Sequence, residues 1–331
     1  MIGRLKMIAT KACNAMSAHS LGRGLLALAA LGSAALVAGC GGGGEKESVV
    51  PTVSSTSVRP LGTLGAGGGD GTGTYGQKVL ITVNGSALDQ GITVRSNACT
   101  GITRLTAAPN ESSASIAFYE CTVSSAGTLG ATVSRDVSGF VMAVATWTVP
   151  EPQVTLTVGN GSSTLGDIVL TLKPAQAPIT VANFIEYVRS GYYVGTVFHR
   201  YSPGFVIQGG GYAAPLNPGD TTATTKPGTR EPIILEDAAG LSNLQWTVAM
   251  ARTNVANSAT SQFFVNLVDN LFLNRTPTAR GYAVFADVTG GRDVVTALTQ
   301  QPCSPFPALG LTGGECLPSP NLVITAARQT R

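Results

Sequence analysis

One arginine and a set of phenylalanines are the residues of this chain best suited to chemistry. Phe198-His199-Arg200 stands just before Pro203-Gly204-Phe205-Val206-Ile207-Gln208-Gly209-Gly210. About fifty residues later come Met250-Ala251-Arg252-Thr253 and Ser258-Ala259-Thr260-Ser261-Gln262-Phe263-Phe264. These stretches hold no nucleophile with a base, no carboxylate pair and no set of metal ligands. What they offer is a cation above an aromatic floor. A guanidinium stays charged and presents several N–H donors in a fixed plane. It therefore suits electrostatic stabilisation of a developing lone pair in a partly dry site. The whole chain has only two histidines, His19 and His199, which argues against a histidine-based metal site or a serine or cysteine triad. The run from Gly65 to Gly71 neither follows a strand nor opens a helix, so it carries no phosphate-binding signal and reads as linker.

These blocks resemble the cyclophilin family of peptidyl-prolyl cis/trans isomerases over residues 153 to 331. Ala249-Met250-Ala251-Arg252-Thr253, Val268-Asp269-Asn270 with Phe272-Leu273-Asn274, and Tyr282-Ala283-Val284-Phe285 are similar to the wording of its bacterial branch. The resemblance implies catalysis without covalent chemistry. Rotation about a peptide bond faces a barrier of about 18 to 20 kcal/mol, and both isomers are populated at proline. A donor aimed at the nitrogen of the twisted amide lowers that barrier. The resemblance gives this role to Arg200, with Gln208 and Gln262 orienting it and holding substrate backbone. It seats proline against Phe205, Val206, Phe264 and Leu273. It also assigns Met250, Ala251 and the backbone of Arg252 to a peptide-binding strand, with no part for the Arg252 side chain. Phe264 is expected in the groove and Phe263 in the core, while His199 reads as a core histidine because the reaction transfers no proton. No cofactor or metal is implied.

Phe272 and Tyr282 also fall in the binding region and depart from the eukaryotic pattern. Many eukaryotic members have tryptophan and histidine there, so weak cyclosporin binding with retained activity is expected. Trp246 stands where relatives look smaller, and either packing or a reshaped groove fits it.

The elements that must position these residues read as mainly β. The resemblance implies a closed eight-stranded barrel with two helices. Thr180 is expected to cap a helix whose Val181, Phe184, Ile185 and Val188 recur at helical spacing and which Gly191 stops. A second helix is expected over Arg292 to Thr299 and a final strand over Asn321 to Ala327. Residues 77–150 read as a separate small antiparallel β domain of about 75 residues, near the lower size limit for independent folding. Its runs are Val79–Val83, Ile92–Val94, Ala114–Tyr119 and Phe140–Trp147, with turn signals between them. An immunoglobulin-like sandwich is compatible with this pattern. The separation of 22 between Cys99 and Cys121 is short for that fold's inter-sheet bridge, so neighbouring strands are expected to be linked.

The N-terminus reads as an address to the cell envelope. Arg4, Lys6, Lys11 and Arg23 precede or flank an apolar stretch from Leu25 to Ala38, too short to span a bilayer comfortably, in the order of a secretory signal. It ends in Leu36-Val37-Ala38-Gly39-Cys40, which resembles a bacterial lipobox with Cys40 as the lipidated residue and membrane anchor. Removal of residues 1–39 leaves 17 basic against 18 acidic side chains, so the net +3 of the full chain belongs to the signal. No basic face for nucleic acid is evident. Residues 40–76 read as a Gly/Ser/Thr/Pro tether reaching roughly 30 to 35 Å. Gly41 is not the aspartate that resembles an inner-membrane retention signal, which favours the periplasmic face of the outer membrane. Four cysteines remain for pairing, and Cys99 with Cys121 and Cys303 with Cys316 is the natural choice in an oxidising compartment.

The leading functional expectation is a lipid-anchored prolyl isomerase acting on unfolded or partly folded exported polypeptides. A proline-peptide binding or holdase module with little turnover is the alternative, and an envelope structural protein with the barrel as passenger is a third reading.

Overall fold

The computed structural model describes residues 49–61, 73–136 and 138–331. The signal segment, Cys40 and the Gly65–Gly71 run lie outside them. Seven strands precede the barrel: β1 (Thr52–Pro60), β2 (Lys78–Ser86), β3 (Ile92–Arg95), β4 (Cys99–Arg104), β5 (Ile116–Val123), β6 (Gly127–Arg135) and β7 (Val141–Val149). They form a four-stranded sheet, β1-β2-β5-β4, and a three-stranded sheet, β3-β6-β7. Burial alternates strictly along β5, as a half-buried strand requires. Ile81, Tyr119, Val133 and Trp147 join one apolar cluster from the two sheets. Three of these strands were not expected. Residues 52–60, within the segment read as tether, form β1 and pair with β2 from Thr52↔Ser86 to Pro60↔Val79. Its Ser/Thr-rich sequence hides the strand because this edge buries little. β4 is interrupted at Gly101, in the left-handed region at φ 66°, and β6 is built around glycine, alanine and threonine. Cys99 and Cys121 are bonded across the neighbouring strands β4 and β5.

The second region contains β8 (Gln153–Gly159), β9 (Thr164–Leu172), α1 (Pro178–Arg189), β10 (Thr196–Ser202), β11 (Val206–Ala213), β12 (Thr247–Met250), β13 (Phe263–Asn266), β14 (Val284–Gly290), α2 (Arg292–Thr299), β15 (Cys303–Ser304), β16 (Leu317–Pro318) and β17 (Leu322–Gln329). Eight of its strands close into a barrel in the order β10-β11-β13-β12-β14-β9-β8-β17. The mainly β architecture with two helices is thus the one expected. Phe184, Tyr193, Phe263 and Phe285 fill the barrel with ring centroids 5.0 to 5.6 Å apart around Phe184, a spacing at which tilted and edge contacts are favourable. The apolar cluster continues from the first seven strands into this core, and the described residues belong to one compact unit.

The α1 helix corrects the expectation for Thr180, which lies inside the helix rather than at its cap. Pro178 at the first turn leaves the following N–H groups in need of acceptors. Glu236 supplies them from 56 residues away, accepting from Ile179 N at 3.1 Å and from Thr180 N and Oγ1 at 2.7 Å each. Helix α2 has the expected bounds, with Val295 and Leu298 buried.

Candidate active site

A β-bulge turns Arg200 toward the outside of the barrel. Phe198 pairs with Gly209 and Arg200 with Gln208, so two steps on β10 match one on β11 and His199 is the extra residue. Without the bulge, Phe198 and Arg200 would share a face. With it, Phe198 enters the core while Arg200 lines a groove. Gly210 serves the same junction. Its φ is +82°, and an added Cβ would stand 2.9 Å from Ser261 O and the Tyr193 ring.

From Arg200 a row of residues runs across five strands in register: Gln208 opposite Phe264, Phe264 opposite Ala249, and Ala249 opposite Val284. Phe264, Ala249, Val284 and Val206 form an apolar cluster of their own, walled by Phe205, Ala251, Leu273 and Tyr282. Phe263 points the other way into the barrel core, as period-two alternation demands. The resulting cavity, about 170 Å³, is lined by Arg200, Phe205, Val206, Gln208, Ala251, Arg252, Phe264, Leu273 and Tyr282. That is below the roughly 300 to 1,000 Å³ of sites for drug-sized ligands, and it suits one small ring.

Three expected residues do not line the cavity. Met250 is buried in the barrel core, because the alternation that sends Ala249 outward sends Met250 inward; its neighbour Ala251 reaches the groove. Gln262 acts one step back, accepting at 2.9 Å from Gln208 Nε2. Phe272 stands on the rim, 73 % exposed, stacked on Phe205 with ring centroids 5.5 Å apart. The Arg252 side chain donates to the carbonyls of Gly281, Thr253 and Arg280 and lies over the Tyr282 ring at 4.6 Å, so three of its five N–H groups are used in shaping the wall.

The guanidinium of Arg200 is held from two sides. Nη1 donates to Gln208 Oε1 at 3.1 Å. Nε donates to Glu315 Oε2 at 3.0 Å while Nη2 bonds the other oxygen of the same carboxylate. Its Cζ also lies 5.7 Å above the Phe205 ring. Arg200 itself holds the Glu315 carboxyl below its usual range. His199, by contrast, is buried against the Tyr212 ring. Burial, reinforced by the Arg200 charge, lowers its pKa to about 4, which leaves it neutral and without a proton-transfer role near pH 7.

Sequence reasoning missed Glu315 and gave no role to the asparagines that fasten the groove wall. Asn270 Nδ2 donates to Phe205 O at 3.1 Å and to Asn266 Oδ1 at 2.8 Å, Asn266 Nδ2 to Asn243 Oδ1 at 3.2 Å, and Asn243 N to Asn274 Oδ1 at 2.8 Å. Asp237 pins the adjoining loop through Gly281 N, Arg275 and Arg280. Burial opposes its charge, but these donors together bring its carboxyl below the usual range. Asn266, Asn270 and Asn274 lie in or beside one block, but Glu315, Asn243 and Asp237 are distant in sequence and only the fold brings them to it. Trp246 lies at the far end of β12 from Ala251, packed on the core with Arg292 over its ring at 5.6 Å, and does not line the groove.

The family profile for cyclophilin type peptidyl-prolyl cis-trans isomerase/CLD matches residues 154–326. A peptidyl-prolyl cis-trans isomerase of Streptomyces antibioticus is 51% identical over 140 residues, which are 41% of this chain and 80% of that protein. Peptidyl-prolyl cis-trans isomerase B of Escherichia coli is 49% identical over 133 residues, 39% of this chain and 76% of its own. A solved Cryptosporidium parvum cyclophilin, crystallised in the presence of the dipeptide Ala-Pro, is 22% identical over 54% of this chain and 99% of its own, with a TM-score of 0.41. On the profile match and the bacterial relatives, this chain belongs to the cyclophilin family of peptidyl-prolyl cis-trans isomerases.

Proposed function

We propose that the chain is an envelope-anchored prolyl isomerase that accelerates cis/trans exchange of Xaa-Pro bonds in exported polypeptides. The isomerase activity is that of its family. One observation carries the mechanism: a guanidinium fixed on two sides stands at the wall of a small apolar cavity. Proline would seat on Phe264, Val206, Phe205 and Leu273, and Arg200 would donate to the imide nitrogen as it turns pyramidal. Such a donor stabilises the twisted state more than either planar isomer, and that difference is what lowers a barrier. Gln208 keeps the donor aimed and Gln262 keeps Gln208 aimed. The lipobox-like run at Cys40 supports anchoring, and the two cysteine pairs support an oxidising compartment such as the periplasm. Phe272 and Tyr282, in place of tryptophan and histidine, support weak cyclosporin binding.

The test is isomerisation of an Xaa-Pro reporter peptide by a fragment starting at Val49, so that β1 is retained, with Arg200→Ala as control. Acceleration lost in the variant supports the mechanism; equal turnover in the two proteins overturns it. The exposed rim of Leu271 and Phe272 favours a binding role beside turnover. Undiminished peptide affinity in the inactive variant would support that second reading.

A further inference from the structure

The cation on which the proposed mechanism rests is aimed by a residue outside the barrel strands. Glu315 lies in the loop between β15 and β16, next to Cys316. That loop is fixed at three points. Tyr201 N donates to Cys316 O at 2.8 Å and Cys316 N to Tyr201 O at 3.0 Å, which sets Glu315 beside Arg200 on the neighbouring strand. Cys316 is bonded to Cys303. β15 pairs with β16 through Cys303↔Pro318 and Ser304↔Leu317, while Phe306, Leu311 and Leu317 bury a small apolar cluster beneath the loop. A carboxylate on a free tail would share its time with water, whereas this one starts from a fixed backbone.

We propose that Glu315 is a positioning residue for prolyl isomerisation, which sets the plane of the Arg200 guanidinium through a two-point bond. This inference rests on the isomerase reading of the same site. A guanidinium has five N–H groups. Glu315 takes the Nε–H and one on Nη2, and Gln208 takes one on Nη1. Two remain without partners among the described residues, one on each terminal nitrogen, and these are the donors available to substrate. Without the carboxylate the side chain keeps its charge and its Gln208 contact but can turn about its last bonds. Glu315 therefore acts on the aim of the donor and leaves the proline pocket unchanged.

The test uses the fragment from Val49, with both disulfides formed, and the variants Glu315→Gln, Arg200→Ala and the double variant. Turnover by wild type that is lost in Arg200→Ala establishes the isomerase reading by itself. Glu315→Gln is expected to lower kcat by about tenfold with KM nearly unchanged, and to add nothing when Arg200 is already alanine. The Nε–H resonance of Arg200 in a nitrogen–proton correlation spectrum is expected to be protected from exchange in wild type and lost in Glu315→Gln. A merely structural carboxylate would move neither kcat alone nor that signal. Unchanged or increased kcat in Glu315→Gln, or an equal further loss in the Arg200→Ala background, overturns the proposal while leaving the isomerase reading intact.

Discussion

The two halves of the described chain each carry one disulfide, and the bonds do different work. In the first region Cys99 and Cys121 lie in the apolar core and join strands that are already hydrogen-bonded. In the barrel region Cys303 and Cys316 are half-buried beside Arg200. The first bond reinforces a small, open two-sheet region whose edges are unclosed. The second holds a loop whose carboxylate bonds the Arg200 guanidinium, on a barrel closed through its own strands. On the proposed mechanism, covalent reinforcement serves the fold in one region and side-chain aim in the other.

The sharpest way to break this contrast is Arg200→Ala, expected to lower kcat/KM by about 100-fold or more while the urea midpoint stays near that of wild type. A large stability loss would show that Arg200 belongs to the fold as well. Acid is next. His199 binds its proton at about 4 when folded against the usual 6.5 of an exposed histidine, so the unfolded chain takes up the proton first. Its contribution is complete above pH 6.5 and is lost as pH falls toward 4, about 3 kcal/mol in all. His199→Gln should flatten that part of the pH dependence in urea titrations, and wild-type kcat should be level from about pH 6 to 8. Each region holds one tryptophan, Trp147 and Trp246. Single-tryptophan variants are expected to report one shared transition, because the apolar cluster is continuous; separate transitions would divide the unit in two.

The disulfides themselves supply the next pair. Serine at Cys99 and Cys121 is expected to cost about 3 kcal/mol in the chain-entropy model with kcat unchanged. Cys303→Ser is expected to lower kcat by about fivefold by loosening the Glu315 loop. If both pairs move only stability, the contrast fails. The smallest effect is expected from Phe272→Ala, a rise in KM of about threefold at constant kcat, measured with the reporter peptide, since a rim contact binds ground state and transition state alike.

Much of this was legible because it is local. The α2 pattern carried its own bounds, and alternation put Phe263 and Phe264 on opposite faces of β13, while the family resemblance said which faced the groove. What was illegible depends on pairing across the chain. The bulge at His199 exists only because β10 and β11 fall out of step, so no reading of Phe198-His199-Arg200 alone could tell which way Arg200 turns. Glu236 caps α1 from 56 residues away because the capping role needs only a carboxylate in reach. Glu315 and Arg200 are separated by 115 residues and meet through a backbone bridge that neither residue encodes. β1 was missed for the opposite reason, since its serine and threonine run is what an exposed edge tolerates.

The loop that carries Glu315 also covers a strand edge beside the groove. β17 pairs with β10 only at Val197 and Phe198; beyond that point the outer side of β10 is taken by Cys316 at Tyr201. An uncovered strand edge beside a peptide site invites an extended peptide to add as another strand. Here the Tyr201 N–H and C=O are already paired with Cys316, so at this edge of β10 a proline-containing peptide finds no ladder to join.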